Sequence, residues 1–394
     1  MSTKIQSNTL STGLAMFSMF FGAGNIVFPL AMGQYAQNQN IYAILGLLIT
    51  AVGVPFLGLV AMTLYDGNYK DFFHKIGKTP GFLVALFIML LIGPFGAMPR
   101  VIAFSHSTAK MFMGDISLPI FSGISCMIIY LMTYKRSRIL DILGYFLTPV
   151  LLISLAILVV KGLMSGDTTG SSGVPNVDVF FKGLWEGYNT MDLLATFFFS
   201  SVVILCLKKE LPPKNQQDFK QLVKMTLKAS CIGAFLLAVV YIGISFVAAR
   251  HSEFLKTFPT EEMLGQLSLE MLGPYAGIIA VVAVALACLT TAIALAAVFA
   301  EYIHEDITDY KVSYHTALIF TLISAFLMST LNFSGIMSFL APILTFIYPS
   351  LIVLAFVSIL SKLYNFPYIK APVFATFAAT VILEGYPIVM GLLK

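Results

Sequence analysis

The stretch that decides the fold reads Phe17-Ser18-Met19-Phe20-Phe21-Gly22-Ala23-Gly24-Asn25-Ile26-Val27-Phe28-Pro29, inside an apolar run from about residue 10 to 36. As one straight helix that run would be about 40 Å long, against about 30 Å of bilayer hydrocarbon. Tilt alone absorbs such an excess. Two glycines, an amide side chain and a proline in close succession, however, weaken the helix where lipid offers freed backbone groups no partner. Unwound backbone at that depth is tolerated only against protein or a water-filled cavity. Two helix ends then meet at mid-bilayer, one presenting N–H groups to an anion and the other carbonyls to a cation. Close packing through Gly22 and Gly24 would by itself account for the glycines; Asn25 and Pro29 turn the reading towards a true break.

The rest of the chain agrees with a membrane setting. Of 394 residues, 58% are hydrophobic and only 11% charged, with 23 Lys+Arg against 19 Asp+Glu. Soluble domains carry about 25% charged residues, and the mean hydropathy here is +0.90. Soluble, disulfide-rich secreted, fibrous and disordered classes are excluded at this step. Apolar runs between charge clusters give eleven spans, near 10–36, 41–65, 80–113, 117–134, 139–161, 188–207, 225–249, 275–303, 313–332, 335–361 and 369–393. With the N-terminus inside, the larger basic clusters (Lys70, Lys75, Lys78; Lys135, Arg136, Arg138; Lys208, Lys209, Lys214, Lys220, Lys224, Lys228) all fall on the cytoplasmic side, as the positive-inside rule requires. The first run is too long for a signal-peptide core and lacks a small-residue cleavage pattern, so it reads as an uncleaved span. Cys126, Cys206, Cys231 and Cys288 lie within apolar runs and read as packing residues.

A second irregular segment is Gly183-Leu-Trp-Glu-Gly187-Tyr188-Asn189-Thr190-Met191-Asp192, at the start of the sixth span. An acid inside a span marks a functional site by default; the plainer alternative is that Asp192 caps the helix at the interface. The interrupted spans are the first and sixth, five apart, so two five-span halves would have opposite topologies. Paired interrupted spans in inverted halves point to a transporter binding site. The chain then divides into a first repeat (1–161), an external loop (162–187) containing Gly166–Gly173, a second repeat (188–361) and an additional C-terminal span (362–394). Met263, Leu264, Leu267 and Met271 recur at helical spacing, which predicts a short surface helix over the bundle.

Thr290 and Thr291 interrupt the small apolar residues of the eighth span. On composition alone, hydroxyls bonded back to carbonyls one turn earlier explain them best; two hard oxygens for a sodium ion are the sharper alternative. The third span carries Gly93-Pro94-Phe95-Gly96-Ala97-Met98-Pro99-Arg100. Its prolines predict a kink, and Arg100, which keeps its charge, is expected to face an outer vestibule as a gate residue paired with Asp192 or Glu186. The histidines, His74, His106, His251, His304 and His315, show no metal spacing, and neither an enzyme nor a channel filter is apparent.

Taken together, these segments resemble the bacterial branched-chain amino acid:cation symporters. The likeness lies in Phe17–Pro29, Gly93-Pro94…Ala97-Met98-Pro99-Arg100, Gly187–Asp192, Ala287-Cys288-Leu289-Thr290-Thr291-Ala292 and Ile347-Tyr348-Pro349. The resemblance places the chain in the amino acid–polyamine–organocation superfamily. It implies an all-α polytopic fold with a LeuT-type five-plus-five inverted-repeat core and broken helices 1 and 6. The chain departs from the family's usual twelve spans in having eleven. The implied function is import of leucine, isoleucine and valine coupled to sodium by alternating access, with a proton-coupled symporter or an exchanger as the alternative. The membrane would be the bacterial inner membrane. The resemblance implies that the substrate carboxylate meets N–H groups near Gly24 and Asn25, with Gly22 and Ala23 also in the substrate site. The ammonium would meet carbonyls at Phe20, Phe21 and near Thr190, with Asp192 alongside as the candidate proton carrier. It further implies a sodium site of the Ser18, Phe21 and Ala287 carbonyls with the Thr290 and Thr291 hydroxyls, and no cofactor beyond the coupling ion.

Overall fold

A computed structural model of the chain describes residues 2–134, 148–165, 170–210 and 219–392. Arg136, Arg138, Lys135, Lys214, residues 139–147 of the expected fifth span and residues 166–169 of the expected loop lie outside them. The glycine-weakened first run is two helices, α1 (Ser2–Phe20) and α2 (Gly24–Ala36), with Pro29 inside α2. The second run is also interrupted. A π-helical turn, Ile49–Gly53, separates α3 (Asn40–Leu48) from α4 (Val54–Leu64); such turns relax the regular hydrogen-bond ladder. After the short α5 (Tyr69–Phe73), the third run divides into α6 (Lys78–Ile92) and α7 (Ala97–Met113). Here the proline kink of the sequence reading is a full break over residues 93–96. Then come α8 (Leu118–Thr133) and α9 (Thr148–Ser165).

Residues 176–187, expected to be external loop, form most of α10 (Asn176–Tyr188), which is followed by α11 (Asp192–Glu210). The sixth run is thus a broken helix whose first half lies upstream of the expected span. Asp178, Lys182 and Glu186 on α10 lowered its apparent hydropathy. Beyond it are α12 (Phe219–Arg250), α13 (Ser252–Leu255), α14 (Met263–Tyr302), α15 (Tyr314–Ser329), α16 (Asn332–Tyr364) and α17 (Lys370–Leu392). α14 bends at Gly273, whose φ is 74°. This leaves the preceding segment as the expected short helix, with Met263, Leu264 and Leu267 buried and Gly265 against Met111 of α7.

One hydrophobic core runs through the helices around the two broken ones. The broken α1/α2 and α10/α11 pack with α3/α4 and α12, while α7 and α14 pack with α8 and α15. The outer surface is apolar where lipid would lie. On α8, Ile120, Ile124, Met127 and Leu131 share one face and are all more than half exposed, a stripe that water would penalise and hydrocarbon would not. Among the described residues, five helical runs, Gly24–Leu64 and Phe219–Arg250 included, are long and apolar enough to cross a membrane. At the crossing of α3 with α10, a Cβ at Gly46, Gly183 or Gly187 would overlap the Phe180 carbonyl, the Ala43 carbonyl or the Thr50 hydroxyl. The Thr50 hydroxyl donates to Leu184 O at 2.9 Å across that contact. In the first half of α11, Phe197 and Phe198 pack stacked and edge-on against Phe72 and Phe73 in an aromatic cluster. Beside it Asp306 accepts from the Tyr69 hydroxyl and pairs with Lys70.

Candidate functional site

The two breaks face each other, and the site is built from what each leaves unbonded. In the first, Gly22 N donates to Asn25 Oδ1 at 2.9 Å rather than to the Ser18 carbonyl, its α-helical acceptor. The N–H groups of Ala23 and Gly24 make no helical bond back to Met19 and Phe20 either. The carbonyls of Ser18, Met19 and Phe20 therefore end α1 without their helical donors, and two N–H groups open α2. Helix ends of this kind attract cations and anions respectively.

In the second break, Met191 holds a φ of 65°, a left-handed conformation that a long side chain adopts only under constraint from its surroundings. The turn aims the carbonyls of Asn189 and Thr190 at Arg100, whose Nη1 and Nη2 donate to them, the latter at 3.1 Å. Arg100 is 3% exposed, and its guanidinium also lies 5.7 Å from the Phe28 ring centre. The expected outer-vestibule position and the pairing with Asp192 or Glu186 are not what the structure has. Among the described residues no carboxylate pairs with Arg100, and Glu186 instead accepts from Asn189 Nδ2 at 2.8 Å. The reason is geometric, because backbone freed at the sixth-helix break supplies acceptors closer than either acid.

Asp192 opens α11 and is 3% exposed, so it is not an interfacial cap. Asn25 Nδ2 donates to its Oδ2 at 2.6 Å and the Tyr241 hydroxyl donates at 3.1 Å, while Asn25 also donates to the Tyr241 oxygen. Asn25 therefore braces both breaks, through its own loop by Oδ1 and through Asp192 by Nδ2. Tyr241, from α12, was missed by the sequence reading. A single tyrosine in the run Leu236-Leu237-Ala238-Val239-Val240-Tyr241-Ile242 was the signal, since a buried hydroxyl needs a partner. Tyr188, the last residue of α10, stacks on Tyr348 at 4.7 Å between ring centres. Beside Asp192, residues including Met16, Phe20, Val52, Leu59 and Thr196 line a pocket of about 30 Å³, room for one or two waters.

On the other side of the first break, Thr291 Oγ1 lies 3.2 Å from Phe21 O and 3.1 Å from Ala287 O. Thr290 Oγ1 donates to Ala287 O at 2.7 Å, the back-bonding that composition alone favoured. Phe21, Ala287, Thr290 and Thr291 are thus brought together, and Ser18 is buried one turn before the break. Hard oxygens in such a cluster suit a small hard cation.

Comparison with known proteins agrees with this architecture. The family described as "Branched-chain amino acid transport protein" matches residues 5–389. The branched-chain amino acid permease BrnQ of Corynebacterium glutamicum is 34% identical over 91% of this chain and 82% of its own. Its namesake in Bacillus subtilis is 30% identical over 93% and 84%. Among solved structures, MhsT in complex with L-phenylalanine superposes with a TM-score of 0.62 at 15% identity, covering 93% of this chain and 98% of that one. The inward-facing conformation of Mhp1 gives a TM-score of 0.61 at 16% identity over 90% and 77%. At such identities the likeness speaks for the fold alone: an all-helical, LeuT-type transporter fold with several apolar helices.

Proposed function

We propose, for a chain that belongs to the branched-chain amino acid transport protein family, sodium-coupled import of leucine, isoleucine and valine by alternating access. That it is a membrane-embedded transporter of branched-chain amino acids follows from the family; the coupling ion, the mechanism and the residues are our reading. The observation that carries it is the facing pair of helix breaks at residues 21–23 and 189–191, tied together by the Asn25–Asp192 hydrogen bond. Substrate and ion share the first break. The free N–H groups of Ala23 and Gly24 suit a carboxylate, and the carbonyls ending α1 suit cations. Sodium would take Phe21 O, Ala287 O, Ser18 O and the Thr290 and Thr291 hydroxyls. By linkage, an ion that orders the first break favours a substrate bound to that same break, and the reverse. An apolar alkyl pocket would exclude charged and polar side chains through their desolvation cost. In this reading the N-terminus is cytoplasmic in a bacterial inner membrane, and the second five-span half begins with α10 rather than at residue 188.

The second reading, proton coupling, has one observation in its favour. Asp192 is a buried carboxylate whose partners are an amide and a hydroxyl rather than a cation. Leucine uptake into proteoliposomes with sodium and proton gradients imposed separately decides between them. Accumulation driven by sodium at equal pH supports the proposal; accumulation driven by a pH gradient alone, without sodium, refutes it. Exchange that needs no gradient would make the protein an antiporter.

A further inference from the structure

The two opposite charges buried at the breaks stand on either side of one peptide step. A Cβ at Gly24 would lie 2.8 Å from Arg100 Nη2, and the next residue, Asn25, holds Asp192 by its amide at 2.6 Å. Arg100 and Asp192 do not pair with each other; the turn 189–191 intervenes, its carbonyls bonded to the guanidinium. Arg100 is also incompletely satisfied, because its Nε is buried with no hydrogen-bond partner. A guanidinium taken out of water normally meets a carboxylate in a two-pronged pair. A buried charge that meets only neutral dipoles is destabilising by several kcal/mol, which is sustained where function requires it.

From this geometry we infer that Arg100 and Asp192 form a receptor for the zwitterion itself. Arg100 takes the substrate α-carboxylate beside the N–H groups of Ala23 and Gly24, and Asp192 takes the α-ammonium. The inference rests on the reading above that an amino acid binds between the two breaks, and it deepens it. Recognition of the main chain then comes from two full charges rather than from helix ends alone. Glycine at position 24 suits the arrangement, because a Cβ there would crowd Arg100 Nη2 at 2.8 Å and the Thr190 backbone at 3.2 Å. Binding the carboxylate also draws Arg100 away from Asn189 O and Thr190 O, so that substrate arrival loosens the sixth-helix turn.

The test compares three probes by competition against radiolabelled leucine, on the full-length protein in proteoliposomes at saturating sodium. They are leucine, leucinamide (ammonium kept, carboxylate removed) and 4-methylpentanoate (carboxylate kept, ammonium removed). The wild type is expected to prefer leucine to either analogue by about 100-fold, the worth of one charge-assisted contact in a buried site. Arg100→Gln also removes the bonds to Asn189 O and Thr190 O, so the readout is the ratio: leucine is expected to fall to within a few-fold of leucinamide. Asp192→Asn is expected to erase the preference over 4-methylpentanoate instead. If Arg100 only braces the turn, Arg100→Gln weakens leucine and leucinamide alike and preserves their ratio, and the inference is overturned. Should Arg100→Gln not fold, the wild type still decides, because leucinamide competing as well as leucine overturns the inference unaided. A wild type that binds no leucine overturns the transport reading and this inference together, whereas leucine binding with the wrong ratios overturns the inference alone.

Discussion

Thr291→Val removes one hydroxyl and keeps the shape of the side chain. That hydroxyl stands between Phe21 O at 3.2 Å and Ala287 O at 3.1 Å, so it joins the end of α1 to the eighth span. Without an ion, its loss forfeits about one neutral hydrogen bond, ~0.5–1.5 kcal/mol, and the fold survives. With sodium bound, it forfeits a contact to a charge, ~1.5–3 kcal/mol, which corresponds to about 10- to 150-fold in ion affinity. The expected result is a half-saturating sodium concentration for leucine uptake raised by that factor. Leucine affinity should fall at low sodium and return towards the wild-type value when sodium is saturating, as reciprocal coupling requires. The assay is initial-rate leucine uptake into proteoliposomes across a sodium titration, with choline replacing sodium and leucine varied at each point. A half-saturating sodium concentration that does not move would remove Thr291 from the ion site, and with it the claim that the ion bridges the first break.

Gly24→Ala should improve the intrinsic helicity of α2 by ~0.5–1 kcal/mol, yet its methyl group would sit 2.8 Å from Arg100 Nη2 and 3.2 Å from Thr190 Cα. Overpacking of ~1–3 kcal/mol outweighs that gain, so the melting temperature should fall, and leucine affinity should fall with it because Arg100 is pushed aside; an unaltered melting temperature would show that the crowding is relieved elsewhere. Tyr241→Phe deletes a donor to the Asp192 carboxylate and should lower thermal stability by ~1.5–3 kcal/mol. Its effect should not add to that of Asn25→Ala, since both act on one network, and a double mutant equal to the sum of the single ones would separate them. Asp306→Asn frees Lys70 and Tyr69 with little loss of stability, ~0.2–1 kcal/mol for a part-exposed pair. If residues 69–73 close the cytoplasmic side, leucine efflux should speed up; an efflux rate equal to the wild type's would count against that placement.

The first break was legible because its cause is local: Gly22, Gly24 and the Asn25 amide weaken the helix within the sequence segment that unwinds. Pro29 misled in detail, since it lies within α2 and the unwinding falls at residues 21–23. The sixth break was half legible. Asn189, Thr190 and Asp192 marked its place, but α10 was taken for loop because a half-helix of 13 residues with three charges fails any test of span hydropathy. What Arg100 touches was not legible. Its acceptors are backbone carbonyls, identical at every residue, and only the turn at residues 189–191, with Met191 at a positive φ, brings them to it. Tyr241 and Asn25 are 216 positions apart, and no local pattern announces such a meeting.

The glycine crossing of α3 and α10 carries a mechanical consequence. Gly187 abuts Thr50 and Ala51, which belong to the π turn interrupting the second run, so that turn lies level with the sixth-helix break. Two discontinuities side by side, in helices locked through Gly46, Gly183 and the Thr50 hydroxyl, would act as a compound hinge in an alternating-access cycle, with the two half-helices beside it moving as a single arm. How fast the carrier cycles would then be set by small residues that never touch the cargo, and a bulky replacement there would stall the arm with every binding group in place.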